Sequence, residues 1–423
     1  MGLMGARVIG IDVGTSGVRA VALAEDGGTV ALASVPMTAF GEATNPATWW
    51  DCVRAVISEL GSSCDLSQVR ALAVDGTSGT MVAVDRFGEP VGPARMYDEP
   101  CADEAVIRTI AEQAPADSAA RGATSALARV LMMQGRPNVC HLLHQADWIS
   151  GKLSGRLDRS DWNNSLKTGY DPVAGRWPEW IGRTGADLAK LPVVLEPGAP
   201  IGQVNTEAVG LGIPESAIVH AGTTDGCASF LATGASEAGD GVTALGSTLV
   251  VKLLCDHPIF APEFGIYSHR IGSNWLAGGA SNTGGKVIEQ FFPRERLAEL
   301  SAGMKPENPT GLSYYPLLRP GERFPINDPK LPPRLEPRPK DDPTFFQAIL
   351  EGVAEVEALA YRKLAELGAP PLRSVRTVGG GAANSAWTKI RERKLGAPFK
   401  RAQSQEACAG VARLALQNLR CSG

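Results

Sequence analysis

Residues 9–20, Ile9-Gly10-Ile11-Asp12-Val13-Gly14-Thr15-Ser16-Gly17-Val18-Arg19-Ala20, decide how this chain is read. The apolar run from Arg7 to Ile11 predicts a buried strand, and Val18 to Leu23 a second. Asp26-Gly27-Gly28 is a hairpin turn and Thr29 to Val35 a third strand, so the chain opens with a three-stranded meander. Gly14 and Gly17 let the first turn close tightly and approach a ligand. Thr15 and Ser16 add hydroxyls to the backbone N–H groups, a set that can cradle a phosphate without a lysine. Asp12, just before the turn, can hold Mg²⁺ directly or through water. Taken alone, the segment is equally an ordinary glycine-rich hairpin.

Working outward, Asn45-Pro46 reads as an N-cap followed by proline at the first helical position. Trp49, Trp50, Val53, Val56, Ile57 and Leu60 follow at helical spacing, and Gly61 is the expected stop. Val69 to Val74 and Thr80 to Val84 read as strands around Asp75-Gly76-Thr77-Ser78-Gly79, a near copy of the first turn. Gly246-Ser247-Thr248, between Val242–Leu245 and Leu249–Leu254, is a third. Three such turns suggest a duplicated β-meander. From Asp103 to Gly198 the chain reads as mostly helical, and Cys140, His141 and His144 as an incidental helix face rather than a metal site. The proline-rich stretch 319–343 reads as an extended surface loop. A helix is expected over Thr344 to Gly368 and a strand over Val375 to Val378.

A chain of 423 residues exceeds one ordinary core, so two domains are expected. Apolar residues at 44%, charged at 20% and a net charge of -4 describe a globular protein with no electrostatic pull toward nucleic acid or an anionic membrane. No stretch has the roughly 20 apolar residues of a membrane span. The N-terminus runs straight into a strand without a secretory core, and Ala6 stands where myristoylation requires Ser or Thr. The eight cysteines form no C-x-x-C pair. A cytoplasmic location is the expectation.

Two further features carry chemistry. Asp225, in Ala221-Gly222-Thr223-Thr224-Asp225-Gly226, stands at a strand-to-helix junction. Capping is the commoner role of such a residue. The same position can expose a carboxylate that takes a proton from an attacking hydroxyl. Gly379-Gly380-Gly381-Ala382-Ala383-Asn384 lies between a strand and a helix, a layout friendly to nucleotides, although neither a Rossmann nor a Walker pattern occurs in the chain.

In this order, IGIDVGTSGVRA at 9–20, AGTTDGCASFLATG at 221–234, TALGSTLVVK at 243–252, GGASNTGG at 278–285 and VGGGAANSAW at 378–387 resemble the FGGY carbohydrate kinases of the actin-like ATPase superfamily. Within the family the chain is most similar to the short ribulokinase-like or xylulose-kinase-like sugar kinases of cyanobacteria and plant plastids. The resemblance implies an α/β fold of two actin-like (ribonuclease H-like) domains with a cleft between them. The sugar-side domain would span 1–232 and regain the last helix within 406–423, and the nucleotide-side domain would span 233–405. It implies Asp225 as the catalytic base, Asp12 near Mg²⁺ and sugar, and Thr15 and Ser16 at the γ-phosphate. Gly246, Ser247 and Thr248 would form a second phosphate hairpin. Gly380, Gly381, Asn384 and Trp387 would line the adenine side, with Trp387 as a stacking plane. Gly17, Ser78 and Asp98 would touch sugar, with Arg19 and His269 as weaker candidates. The stretch Arg95-Met96-Tyr97-Asp98-Glu99 keeps the aspartate of a family pattern but lacks its arginine.

The expected reaction moves the γ-phosphoryl of Mg·ATP to the terminal hydroxyl of a ketopentose, D-ribulose first and D-xylulose as the alternative, by a monomer or homodimer. A non-kinase actin-like ATPase would lack a sugar-side base. A sugar-binding regulator would yield no phosphorylated product.

Overall fold

The computed structural model describes residue 5 and residues 7–421. Met1 to Met4 and Ala6, on which the reading of a leader or acyl site falls, lie outside the described residues, as do Ser422 and Gly423. The chain divides into two compact units, one of residues 1–232, 269–272 and 406–423, the other of 233–268 and 273–405.

In the first unit a six-stranded sheet orders Thr29–Pro36, Gly17–Leu23, Val8–Val13, Ala71–Gly76, Ile218–Thr224 and Pro200–Gln203. The first three form the expected antiparallel meander, while Val8–Val13, Ala71–Gly76 and Ile218–Thr224 run parallel. A strand covered on both faces reads as a near-continuous apolar run, and Val8–Val13, with Asp12 its one charged residue, is buried throughout. Ile9, Ile11 and Val13 join Trp49, Val53 and Ile57 of the helix Pro46–Ser63. Val8, on the opposite face, joins Ala412 and Leu414 of the C-terminal helix Ala407–Cys421. Gly10 admits that helix: a Cβ there would lie 2.0 Å from the Cys408 carbonyl oxygen.

Several expectations need correction. The 75–79 turn is not a hairpin: Met81–Val84 leaves the main sheet and pairs antiparallel with His141–His144. His141 and His144 therefore lie on a strand, not a helix. Among the described residues no group of three His, Cys, Asp or Glu can hold a metal by itself. Asn45 caps the first helix through Ala47 N–H, but the helix runs past Gly61 to Ser63, because a glycine on an exposed face costs only about 1 kcal/mol.

In the second unit Asn274–Ala280, Leu249–Cys255, Asp240–Leu245 and Ser374–Val378 lie side by side in that order. The helix Asp342–Glu366 packs through Phe345, Phe346, Ile349 and Val353 with Trp387 and Ile390 of the helix Ser385–Leu395. Beneath the sheet Glu357 and Arg391 form a fully buried bidentate pair, with N···O distances of 2.6 and 2.7 Å. Glu357 also accepts from Thr243 Oγ1 at 2.6 Å, which ties both helices to the strand that feeds the 246–248 turn.

The proline-rich stretch is a largely exposed loop without helix up to Asp341, as expected, but it is not extended. It folds back on itself through bridges between Tyr315 and Arg334 and between Glu322 and Asp328. Phe324 is fully buried and Glu322 nearly so. Proline content predicted the missing helix correctly, but composition does not report which side chains turn inward.

Candidate active site

On the first unit, strand register sets the carboxylates. Asp12 lies opposite Asp75 on the parallel neighbour and Arg19 on the antiparallel one. Arg19 Nη1 is 3.8 Å from Asp12 Oδ2, and Arg19 Nε is 3.5 Å from Glu406 Oε2. Asp75 is completely buried, and its oxygens find no donor among the described groups unless it carries a proton itself. Burial drives its carboxyl well above the usual range, and the charges of Asp12 and Asp225 push the same way. The proton shared by the pair therefore rests on Asp75 and is donated to Asp12. Burial pushes Asp12 up to about 6, opposed by that hydrogen bond and by Arg19, and raised further by Asp225 and Glu406. Asp12 is thus the more acidic member of the pair.

Asp225 opens the helix Asp225–Ala232. Thr224 Oγ1 accepts from Cys227 N–H at 3.4 Å, a capping contact for this helix, and Asp225 Oδ1 accepts from Gly226 N–H at 2.6 Å. Lys167, at the end of the short helix Trp162–Leu166, feels the Asp225 charge; burial lowers its amine to about 8 against that pull. Asn163 of the same helix donates to Thr223 Oγ1 at 3.0 Å, so this helix is registered on the strand that ends at Asp225.

Thr15 and Ser16 stand exposed at the tip of a turn closed by Gly14 N–H donating to Gly17 O at 3.0 Å. Ser78 Oγ is buried without a hydrogen-bond partner among the described residues. Asp98 is exposed on the loop that follows. A buried arginine that was not read from the sequence underlies this loop. Arg129, 3% exposed, donates to the carbonyls of Gly79, Tyr97 and Glu99 at 3.2, 2.7 and 2.9 Å, so the Ser78 turn and the Asp98 loop share one buried cation. His269 belongs to the 269–272 segment of this unit, where the next residue, Arg270, accepts from Asn163 Nδ2 through its backbone carbonyl.

On the second unit a cavity of about 700 Å³ gathers Gly246, Ser247, Gly380, Gly381, Asn384 and Trp387. Thr248 is not on its wall; it packs behind Gly284. Trp387 is not a free stacking plane. It is 4% exposed, its Nε1 donates to Leu350 O at 3.0 Å, and only part of its ring meets the cavity. Asn384 is also committed: Oδ1 accepts from Trp387 N–H as helix cap, and Nδ2 donates to Ser301 Oγ, each at 3.0 Å. The opposite wall, with Ile288, Leu297 and Ala298, was not read from the sequence.

Two family models match the chain. The N-terminal domain of the FGGY family of carbohydrate kinases matches residues 7–124, and the C-terminal domain matches 243–419. The chain belongs to the FGGY family of carbohydrate kinases. It is similar to a xylulose kinase of Streptomyces coelicolor, 25% identical over 96% of this chain and 86% of that protein. It is also similar to an autoinducer-2 kinase of Yersinia enterocolitica, 26% identical over 96% of this chain and 84% of that protein. Among solved structures, the ligand-bound xylulose kinase from Lactobacillus acidophilus superposes with a TM-score of 0.83 at 18% identity, covering 99% of this chain and 90% of that one. The fold is the two-domain α/β architecture of these kinases, that of the actin-like ATPases. This FGGY kinase is an ATP-dependent sugar kinase. Among the described residues no helix is long and apolar enough to cross a membrane.

Proposed function

We propose that this FGGY kinase phosphorylates the terminal hydroxyl of an open-chain ketopentose, with D-xylulose as the first acceptor and D-ribulose as the second. The resemblance in the sequence put ribulose first; the relative named for xylulose supports the reverse order. The observation that carries the chemistry is the place of Asp225, which follows the parallel strand Ile218–Thr224, opens the helix Asp225–Ala232 and lies near enough to Asp12 and Asp75 for its charge to raise both carboxyls.

In this reading Asp225 takes the proton of the hydroxyl, and the oxygen attacks the γ-phosphorus. The bond to the β,γ-bridging oxygen breaks and ADP leaves. Thr15, Ser16 and Gly17 hold the transferring phosphoryl. Gly246, Ser247, Gly380, Gly381 and Asn384 hold the rest of ATP, with Thr248 and Trp387 as supports behind them. Ser78, whose hydroxyl is buried without a hydrogen-bond partner among the described residues, and Asp98 contact the sugar. Asp12 would hold Mg²⁺, through water. One carboxylate, with no three-ligand cage among the described residues, suits an ion that arrives on the nucleotide and keeps most of its waters. Bound there, Mg²⁺ would neutralise charge on the phosphate oxygens. The proposed division is a sugar-side domain of 1–232 with 406–423 and a nucleotide-side domain of 233–405.

The test is a panel of D-xylulose, D-ribulose, gluconate and glycerol with Mg·ATP, following ADP and the phosphorylated product by mass spectrometry. Ketopentose 5-phosphate is expected. A product only from gluconate or glycerol overturns the acceptor class. In the same assay Asp225→Ala is expected to lower turnover by roughly 10³-fold and to leave affinity for the non-hydrolysable analogue AMP-PNP unchanged. Near-normal turnover overturns the base.

A further inference from the structure

The proline-rich strap has a contact that neither its composition nor the family description assigns. Glu322 is 3% exposed and accepts four hydrogen bonds. Ser281 Oγ donates to it at 2.5 Å and Tyr315 Oη at 2.9 Å, while the backbone N–H groups of Asn282 and Arg323 donate at 2.8 and 2.9 Å. Asn282 Nδ2 also donates to Gly321 O at 3.0 Å. The strap is closed behind the carboxylate, because Glu322 and Asp328 exchange backbone hydrogen bonds. Burial, and then the Glu322 charge, raise Tyr315, so its phenol stays a donor.

What Glu322 grips is the loop 281–283, and that loop leads directly into the cavity wall. Ser281 N–H donates to Leu249 O, and Leu249 N–H to Thr283 O. Gly284, at φ 141, presses against the phosphate-type turn so closely that a Cβ would meet Thr248 Cα at 2.6 Å. Gly285 N–H donates to Gly246 O at 2.8 Å and Lys286 N–H to Ser247 O at 3.2 Å. An unbroken chain of short contacts thus runs from Glu322 to Gly246 and Ser247, both on the cavity wall.

We infer that Glu322 is a positioning residue for nucleotide binding: the proline-rich strap holds, through one buried carboxylate, the backbone that shapes the 246–248 turn. This rests on the reading of the 700 Å³ cavity as the nucleotide site. A buried carboxylate with four donors resists displacement, since losing it strands each donor. Fixing donors before the ligand arrives spares the ordering cost at binding.

The test uses the full chain, with AMP-PNP affinity by calorimetry and the KM values for ATP and D-xylulose. Ser281 and Tyr315 donate to the same Glu322 oxygen, but only Ser281 lies on the arm that reaches the cavity. Ser281→Ala is expected to weaken AMP-PNP roughly 3- to 10-fold, one hydrogen bond's worth, and to raise the KM for ATP but not for sugar. Tyr315→Phe is expected to lower the melting temperature and leave AMP-PNP affinity unchanged. Glu322→Ala should be weaker still, and Glu322→Gln should restore most of the affinity, because the hydroxyls can turn to accept from its amide. Ala298→Trp, which fills the cavity from an exposed wall position, separates the two readings. If it leaves AMP-PNP affinity intact, the cavity is not the nucleotide site and the inference falls with that reading. If it abolishes binding while Ser281→Ala has no effect, or has the same effect as Tyr315→Phe, the positioning role alone is overturned.

Discussion

His144 is held neutral. Its Nε2 lies 3.0 Å from Thr168 Oγ1, it is 2% exposed, and burial, with the Arg129 charge adding, lowers it to about 3. An unfolded histidine titrates near 6.5, so below that pH the unfolded chain takes a proton the folded one refuses. Stability present above about 6.5 is then lost toward 3, at up to about 1.4 kcal/mol per pH unit. Asp12 and Asp161, both raised to about 6 chiefly by burial, act oppositely: the folded state gains protons first as pH falls from 6 toward 3.8. The wild type alone would therefore hide the histidine. The stability advantage of wild type over His144→Gln is expected to shrink as urea midpoints are taken at pH 7, 6 and 5. A constant difference would mean that His144 is protonated inside the fold. This residue was read in the sequence only as part of an incidental His/Cys face, because nothing local marks a histidine as buried. Asp12 and Asp225 were legible because each sits where a strand ends. Asp75 stood in a motif already noticed, and only strand register reveals that it touches Asp12. Arg129 gave no signal of its use: beside the nearby Thr124 carbonyl, the carbonyls it holds on the two loops are 30 to 50 residues away.

At the scale of elements, strands were easier to read than their partners. The short apolar run at Thr80 to Val84 announces a strand, yet the pairing of Met81–Val84 with His141–His144 depends on a segment distant in sequence. The same limit applies to Glu357 and Arg391, which lie on two helices whose apolar faces were partly legible and whose buried ion pair was not. Both side chains are sealed from water, so removing one strands the other's charge. Arg391→Met is expected to cost about 3–5 kcal/mol, and Glu357→Met a comparable amount. The double substitution Glu357→Met with Arg391→Met is expected to be more stable than either single variant, because no uncompensated charge remains. Chemical denaturation of the three variants checks this. A double variant as unstable as the sum of the singles would mean that the pair acts through geometry at Thr243 rather than through charge.

At the scale of the whole chain, each unit carries its own apolar clusters: Ile9, Trp49 and Val74 belong to the first, Phe345, Ile349 and Trp387 to the second. Length alone pointed to two domains. The allocation of 269–272 to the first unit was not legible, because four residues carry no periodicity of their own. Two cores allow two unfolding events, so a ligand held by one core protects that core first. The cavity that gathers Gly246, Gly380 and Trp387 is built entirely from the second unit. AMP-PNP at 100 times its dissociation constant stabilises the state that binds it by about 2.7 kcal/mol. Hydrogen exchange with and without AMP-PNP, in the absence of sugar, is therefore expected to slow in the helices Asp342–Glu366 and Ser385–Leu395. The buried strands Val8–Val13 and Ala71–Gly76 should exchange at unchanged rates, with local protection confined to the Gly14–Gly17 turn. Equal slowing across both cores would show that the two units unfold as one, and would require nucleotide binding energy to be shared well beyond the residues that line the cavity.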